Sequence, residues 1–508
     1  MTAMELYAIL PLLVLTAGIV LLMLQVAFFR SHNAAMMTTV TVLVTAILAC
    51  LVVTGELRDT VSSLPATTML LIDQQALFIC VLLLLAAMAV AVLGHSYLRA
   101  RQVVPSATDH PEAFYILLLL CLLGACTLVC ASHFAIFFLA LELISLALYP
   151  LLAFPLTGRA FQNDERGLAM ESAIKYLLLS AIASALGLFG IALVYGATGA
   201  LEFSAVAAAM SGQNVSAGLM QSGLALVLAA MAFKLSLVPF HLWTPDVYQG
   251  APTPVTALIA TVSKAAAVAI LLRLMSVSGW SEASIIGSLL TLMAIASIVG
   301  GNLLALLQRD IKRLLAYSSI AHIGYLTVAF LINEQTLGGE AALYFLVAYV
   351  VTTLGAFAVI SLVADNALSN GSTDPGEALA PFHIDYYTGL FWRSPLLGTC
   401  LAAMLLSLAG IPLTIGFIGK FYIFAAGVEG ELWLVLGAVI VGSALGLFYY
   451  LRLLLTLFQR APMPSVAGSS VLAIPVTGQL LLVLLSLTLL TLGVFPQPLI
   501  NWLHALYT

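Results

Sequence analysis

The chain has 508 residues, of which 63% are hydrophobic and 8% charged, against roughly 45–50% apolar and 25% charged in an ordinary soluble domain. With a mean hydropathy of +1.14, a water-soluble globule is excluded. The formal net charge of −5, from 17 Lys+Arg against 22 Asp+Glu, supplies neither a polybasic surface for nucleic acid nor an acidic tail.

Apolar runs of about 20 residues, long enough to cross hydrocarbon as helices, recur along the sequence. Fourteen spans are expected, centred near residues 17, 45, 84, 122, 143, 184, 231, 263, 294, 322, 352, 405, 444 and 484. The first, Tyr7 to Phe29, is too long for a cleaved signal and is followed by no small-residue cleavage site, so it reads as a retained helix. The connections are short, the longest running from about Asp365 to Arg393, which leaves no room for a soluble domain. The expected class is an all-α, multi-pass membrane protein whose first partner is the lipid bilayer.

Connections after odd-numbered spans carry Arg30, Arg99, Arg101, Arg159, Arg166, Arg309, Lys312, Arg313, Arg393 and Arg460, and the opposite side carries Arg58 and Arg273. Because Lys and Arg are retained on the cytoplasmic side during insertion, both termini are expected on the outer, periplasmic side. The six cysteines, Cys50, Cys80, Cys121, Cys126, Cys130 and Cys400, all fall in apolar runs without a Cys-x-x-Cys pair, so they read as small apolar fillers. No dinucleotide fingerprint or Walker lysine appears, and no cofactor is expected in this chain.

Five basic residues remain, Lys175, Lys234, Lys264, Lys420 and Arg452, and all lie within apolar segments. A lysine at mid-bilayer costs roughly 2.5 to 3.5 kcal/mol even on a lenient scale, so it persists where it is paired, hydrated or used. Lys175 follows Glu171 at helical spacing and Arg452 is near a helix end, so pairing or snorkelling competes with function there. Among the acids, Glu142 alone sits in the middle of a long apolar run, Phe138-Leu-Ala-Leu-Glu142-Leu-Ile-Ser145. A Glu and Lys pair is stable when charged together and poised to exchange a proton when separated. His322, in Ser318-Ser-Ile-Ala-His322-Ile-Gly-Tyr325, has neighbours that could hold water and carry a proton, against the plainer reading of a hydrogen-bonded core histidine. His241, in Pro239-Phe-His241-Leu-Trp, is balanced between the two.

Two lysine-bearing spans also carry a proline: Phe233-Lys234-Leu-Ser-Leu-Val-Pro239 and Gly410-Ile-Pro412-Leu-Thr-Ile-Gly416-Phe-Ile-Gly419-Lys420. Both are expected to be interrupted, as proline removes a backbone donor and frees a carbonyl, unless each is a simple kink. The prolines are 173 residues apart, and the spacing suggests a five-helix unit used twice. An odd number of helices inverts successive copies. The expected organisation is a three-helix segment over 1–113, a first repeat over 114–275, a second, inverted repeat over 284–457 and a C-terminal helix over 470–508.

Four stretches carry a resemblance to a known family: Phe138 to Ser145, Phe233 to Pro254, Gln308 to Tyr325, and Ser407 to Phe421. With the span pattern, they resemble the antiporter-like subunits of respiratory complex I and the related Mrp-type sodium/proton antiporters over nearly the whole chain. Lys420 in the C-terminal broken helix, and an end at Thr508 directly after the fourteenth span without a long lateral helix, separate it from paralogues that carry glutamate or a lysine–aspartate pair there. The resemblance implies a membrane-arm proton channel in a bacterial inner membrane, with Glu142 and Lys234 as coupling pair, Lys175 modulating Lys234, Lys264 and His322 as central relay, and Lys420 as exit donor. It also implies, as partners, the other membrane-arm subunits, adjacent antiporter-like and small membrane subunits, and, in partner subunits, flavin, iron–sulfur clusters and quinone. The alternatives are an Mrp-type cation/proton antiporter, a membrane-bound hydrogenase subunit, or a rigid spacer whose buried charges only fix packing.

Overall fold

A computed structural model describes residues 3–60, 63–67, 69–101, 110–154, 163–210, 215–278, 285–332, 335–369, 380–460 and 474–507. Arg159, counted above among the cytoplasmic charges, lies outside the described residues, as does the side chain of Arg58. In chain order the helices are α1 (Ala3–Ala8), α2 (Leu10–Phe28) and α3 (His32–Thr60); after a two-stranded hairpin, β1 (Ser63–Thr67) and β2 (Leu70–Asp73), come α4 (Gln74–Arg101), α5 (Glu112–Val129) and α6 (Phe134–Leu152). Next are α7 (Asn163–Thr198), α8 (Phe203–Met210), α9 (Ala217–Leu235) and α10 (Trp243–Gly250), then α11 (Thr253–Leu258) and α12 (Lys264–Ser278), joined by a π turn over Ile259–Ser263. The rest are α13 (Ile285–Leu306), α14 (Ile311–Ala329), α15 (Gln335–Ser369), α16 (Leu390–Arg393), α17 (Pro395–Ala409), α18 (Ile415–Glu429), α19 (Trp433–Phe458), α20 (Val476–Val494) and α21 (Gln497–His504).

Twelve of the described helical segments are long and apolar enough to cross a bilayer. In hydrocarbon the backbone has no water to bond, so an apolar run satisfies its own N–H and C=O groups by coiling. Two further expected positions behave differently. The helix α14 carries Lys312, Arg313, a run of hydroxyls and His322, too polar for that criterion, yet it is buried along nearly its whole length. The other is divided into α17 and α18. A polar helix is tolerated there because it faces protein: the apolar stretch of α15 is wholly buried and Thr253–Met275 nearly so, whereas most of α2 and of α20 is not buried.

Both expected interruptions are present. After α9, Ser236 turns left-handed (φ 65°) and the chain is non-helical as far as α10. After α17, Gly410 (φ +84°) and Leu413 (φ 73°) turn the chain before α18 begins. The freed groups find partners, as buried polar groups must: Trp243 Nε1 donates to the Phe233 carbonyl at 3.0 Å and Ser297 Oγ accepts from Val238 N at 2.9 Å.

Several boundaries differ from the sequence reading. Asp365, placed at the start of a connection, is inside α15 and buried, because that helix runs on to Ser369. The chain does not stop after its last long helix: α21 follows α20, its apolar side against the core through Leu499 and Leu503. The antiparallel hairpin β1–β2 had not been anticipated; Arg273 ties it down, with Nη2 2.6 Å from Asp73 Oδ2 and Nη1 3.1 Å from the Leu71 carbonyl.

Candidate functional site

The broken ends of α9 and α17 and the polar face of α14 bring a row of charged groups into the interior. Lys234, in the last turn of α9, is buried, and its Nζ donates to Ser145 Oγ at 2.5 Å, Ser180 Oγ at 3.0 Å and Tyr176 OH at 3.4 Å. Glu142, half-buried on α6, accepts from Ser184 Oγ. The carboxylate and the ammonium are each held by serine hydroxyls, and no direct ion pair joins them among the described residues. Tyr176, Ser180 and Ser184 recur every fourth residue, which puts their groups on one face of α7. That spacing was a readable signal the sequence reading did not use.

Lys264 opens α12 directly after the π turn, is fully buried, and donates to Ser319 Oγ at 2.6 Å. The Ser319 hydroxyl lies 2.5 Å from Tyr349 OH and 3.4 Å from Tyr248 OH. One turn on, His322 Nε2 is 3.3 Å from Tyr450 OH, which is also hydrogen-bonded to Ser318. The Tyr325 ring stands between His322 and Lys420, its centroid 5.7 Å from the histidine ring and 5.3 Å from Lys420 Nζ. Asn302 Nδ2 donates to the Tyr325 hydroxyl at 2.9 Å. Lys420 Nζ donates to the Leu408 and Ala409 carbonyls at 2.9 and 3.0 Å, oxygens left without intrahelical partners where α17 ends. Each of these ammonium groups is held by hydroxyls or carbonyls. A hydroxyl both donates and accepts, as a proton relay requires.

Lys175 stands apart from this row. Its side chain is 40% exposed and paired with Glu171 Oε1 at 2.6 Å and Asp246 Oδ2 at 2.5 Å, so it is at the rim, in the pairing with Glu171 that the helical spacing offered as the alternative to function. Asp246 also receives Arg313 Nη1 at 2.7 Å, which joins α7, α10 and α14. Arg452 donates to the Leu306 and Gln308 carbonyls at 3.2 and 2.9 Å and caps the end of α13. His241 lies between α9 and α10; burial lowers its pKa from the ordinary value against an opposing hydrogen bond to the Pro239 backbone. Two charges read as connection residues are folded inward: Arg101 and Lys312 are 5% and 2% exposed. Among the described residues no group of three His, Cys, Asp or Glu side chains could hold a metal ion.

A bundle of membrane-length helices with two broken members and an interior row of cations held by hydroxyls and carbonyls defines an integral membrane protein built to pass charge. Residues 131–446 match the family described as NADH:quinone oxidoreductase/Mrp antiporter, TM, and the chain belongs to that family. It is similar to NADH-quinone oxidoreductase subunit N of Ectopseudomonas mendocina (strain ymp), 45% identical over 512 aligned residues that span 99% of this chain and 97% of the relative. Among solved structures it is similar to a chain of respiratory complex I from Thermus thermophilus with bound aureothin, with a TM-score of 0.78 and 33% identity, covering 97% of this chain and 99% of that one. A chain of the Mrp complex from Dietzia sp. DQ12-45-1b, at 19% identity and a TM-score of 0.83 over 100% of this chain and 97% of that one, shares the fold.

Proposed function

We propose that this chain is the subunit N of a proton-translocating NADH:quinone oxidoreductase, a membrane-arm subunit in which protons move along Glu142, Lys234, Lys264, His322 and Lys420. The observation that carries the reading is the interior row itself: three buried or half-buried lysines and a histidine held by hydroxyls and carbonyls, reaching from the first helix break to the second. A buried ion is retained at a cost, and a row of them in one chain is retained for use. Full-length likeness to curated relatives favours the oxidoreductase over the antiporter, whose structural likeness is one of fold.

In this mechanism quinone reduction in partner subunits, which carry the flavin, iron–sulfur clusters and quinone, changes the field along the membrane arm. The Glu142 carboxylate, reached through Ser184, biases Lys234 through Ser145 and Ser180. A proton leaving Lys234 charges Lys264, passes through Ser319 and the Ser318–Tyr450–His322 group, and leaves from Lys420. Lys175, at the rim with Asp246, acts on Lys234 through its neighbour Tyr176. Two inverted repeats, over 114–275 and 284–457, would put one broken helix in each half-channel, and the basic residues orient the molecule in a bacterial inner membrane with both termini periplasmic.

The test is purification of the tagged chain with its partners and reconstitution into liposomes. Co-purifying flavin and iron–sulfur subunits with NADH-to-quinone activity support the assignment; small membrane proteins without a redox centre would move it to an antiporter. In the reconstituted complex, Lys234→Ala and Glu142→Ala are each expected to lower the protons pumped per electron, and an undiminished ratio overturns the relay.

A further inference from the structure

At the end of the molecule assigned above to the cytoplasm, charges expected in connections are gathered inside. Arg101, the last residue of α4, donates to Glu165 Oε1 at 3.0 Å and to Asp365 Oδ1 at 3.2 Å. Lys312, at the start of α14, donates to the Gln249 and Ala251 carbonyls at 2.9 and 2.6 Å, the backbone that links α10 to α11. The ring of Phe382 covers the Lys312 ammonium at 4.7 Å. Asp365 is 7% exposed, and its Oδ2 has no hydrogen-bond partner among the described residues. Beside Arg101, Glu165, Lys312 and Phe382 is a cavity of about 30 Å³, lined also by Gln249, Ala251 and Thr253 with apolar neighbours, room for about two waters.

This cavity stands at the head of the Lys264 chain. Gln249, on its wall, follows Tyr248, whose hydroxyl reaches the same Ser319 that holds Lys264. Lys312 and Ser319 are seven residues apart and so share a face of α14, separated by about 10 Å of helix rise.

We propose that the cavity is a second proton intake, which joins the relay at Lys264 beside the supply from Lys234, with Glu165 as the group that loads from the aqueous side. The inference rests on the relay described above. The step moves one proton and no electrons: an O–H bond at Glu165 breaks, an N–H bond at Lys264 Nζ forms, and Glu165 returns to the carboxylate that Arg101 holds. Water from the cavity bridges the distance along α14, with Ser319 as the last donor. Arg101 and Lys312 are positioning residues whose fixed positive charge keeps metal cations from following the proton.

The experiment compares four variants in the whole reconstituted complex by protons pumped per electron. Lys264→Ala sets the loss for a broken relay. Glu165→Gln keeps the size and the acceptor toward Arg101 but carries no proton, and is expected to show a substantial part of that loss; Glu165→Asp keeps the acid and is expected to recover most of the ratio. Ala251→Val fills the cavity without touching a charge or the carbonyl that Lys312 grips, and is expected to match Glu165→Gln. Wild-type pumping in Glu165→Gln and Ala251→Val beside a defective Lys264→Ala overturns the intake and leaves the relay standing. Glu165→Gln active with Glu165→Asp inactive, or equal loss in both, marks a packing role and overturns it too, and a fully active Lys264→Ala takes down both readings.

Discussion

Single hydroxyls decide what the buried lysines can do. Ser319 is the shared partner of Lys264, Tyr349 and Tyr248, and a hydrogen bond to a charged group contributes roughly 1.5–3 kcal/mol. Ser319→Ala is therefore expected to lower pumping per electron while electron transfer continues, read by proton uptake against NADH oxidation in proteoliposomes; unchanged coupling would remove Ser319 from the path. At the rim, partial burial pushes the Asp246 carboxyl up, but the hydrogen bonds and charges of Lys175 and Arg313 outweigh it and hold the carboxyl below its ordinary value. A carboxyl held down stabilises the folded state above its unfolded pKa, roughly 4, and that contribution is lost as the pH falls through the folded value. Asp246→Asn should thus lower the thermal midpoint near neutral pH by the equivalent of about 1 kcal/mol, modest because the pair is partly exposed, and the deficit should shrink in acid. A deficit that is the same at both pH values would exclude charge as its cause.

Helix crossings set the distances between these groups. At the α7–α9 crossing a Cβ on Gly190 would lie 2.6 Å from the Gly223 carbonyl oxygen, and one on Gly223 would lie 2.8 Å from that of Gly190, so the two backbones touch as small residues allow in membranes. This contact holds Lys234 on α9 against Ser180 on α7. Gly190→Val is expected to cost about 1–3 kcal/mol by overpacking, seen as lower assembly and a lower thermal midpoint of the purified complex; full assembly at wild-type stability would mean the helices can part freely. The breaks near Pro239 and Pro412 were legible because proline announces them. The π turn before Lys264 was not, since Ile259-Ala-Thr-Val-Ser263 contains no breaker and takes its shape from the packing around it. The hairpin was hidden because Ser63-Leu-Pro-Ala-Thr67 reads as a linker. Arg101 and Lys312 were misread for a related reason: each flanks an apolar run, where charge normally meets water, and only Phe382 and the partner carboxylates, distant in sequence, enclose them. The lysines inside the runs were legible, their hydroxyl partners much less so, because serine in an apolar run is common and its neighbours belong to other helices.

Across the whole molecule, Glu142 is the half-buried acid on a face that is otherwise apolar. Leu139 and Leu146 beside it are 61% and 59% exposed, and a carboxylate opening onto lipid alone would be costly, so this face is the one a neighbouring subunit should cover. Leu139→Cys is expected to cross-link to an adjacent membrane subunit in native membranes, and a complex that stays intact without any such product would place the partner elsewhere. The same molecule-long row has a consequence for timing. A hydroxyl owns one hydrogen, so in the proposed relay, once a proton had hopped through Ser319, Ser318 and Tyr450, every O–H in that stretch would point backward and would have to swing round before the next could follow. Transport by that relay would come in strokes, a fast hop followed by a slower re-aiming of the side chains, with the interval between strokes set by how tightly those hydroxyls are caged.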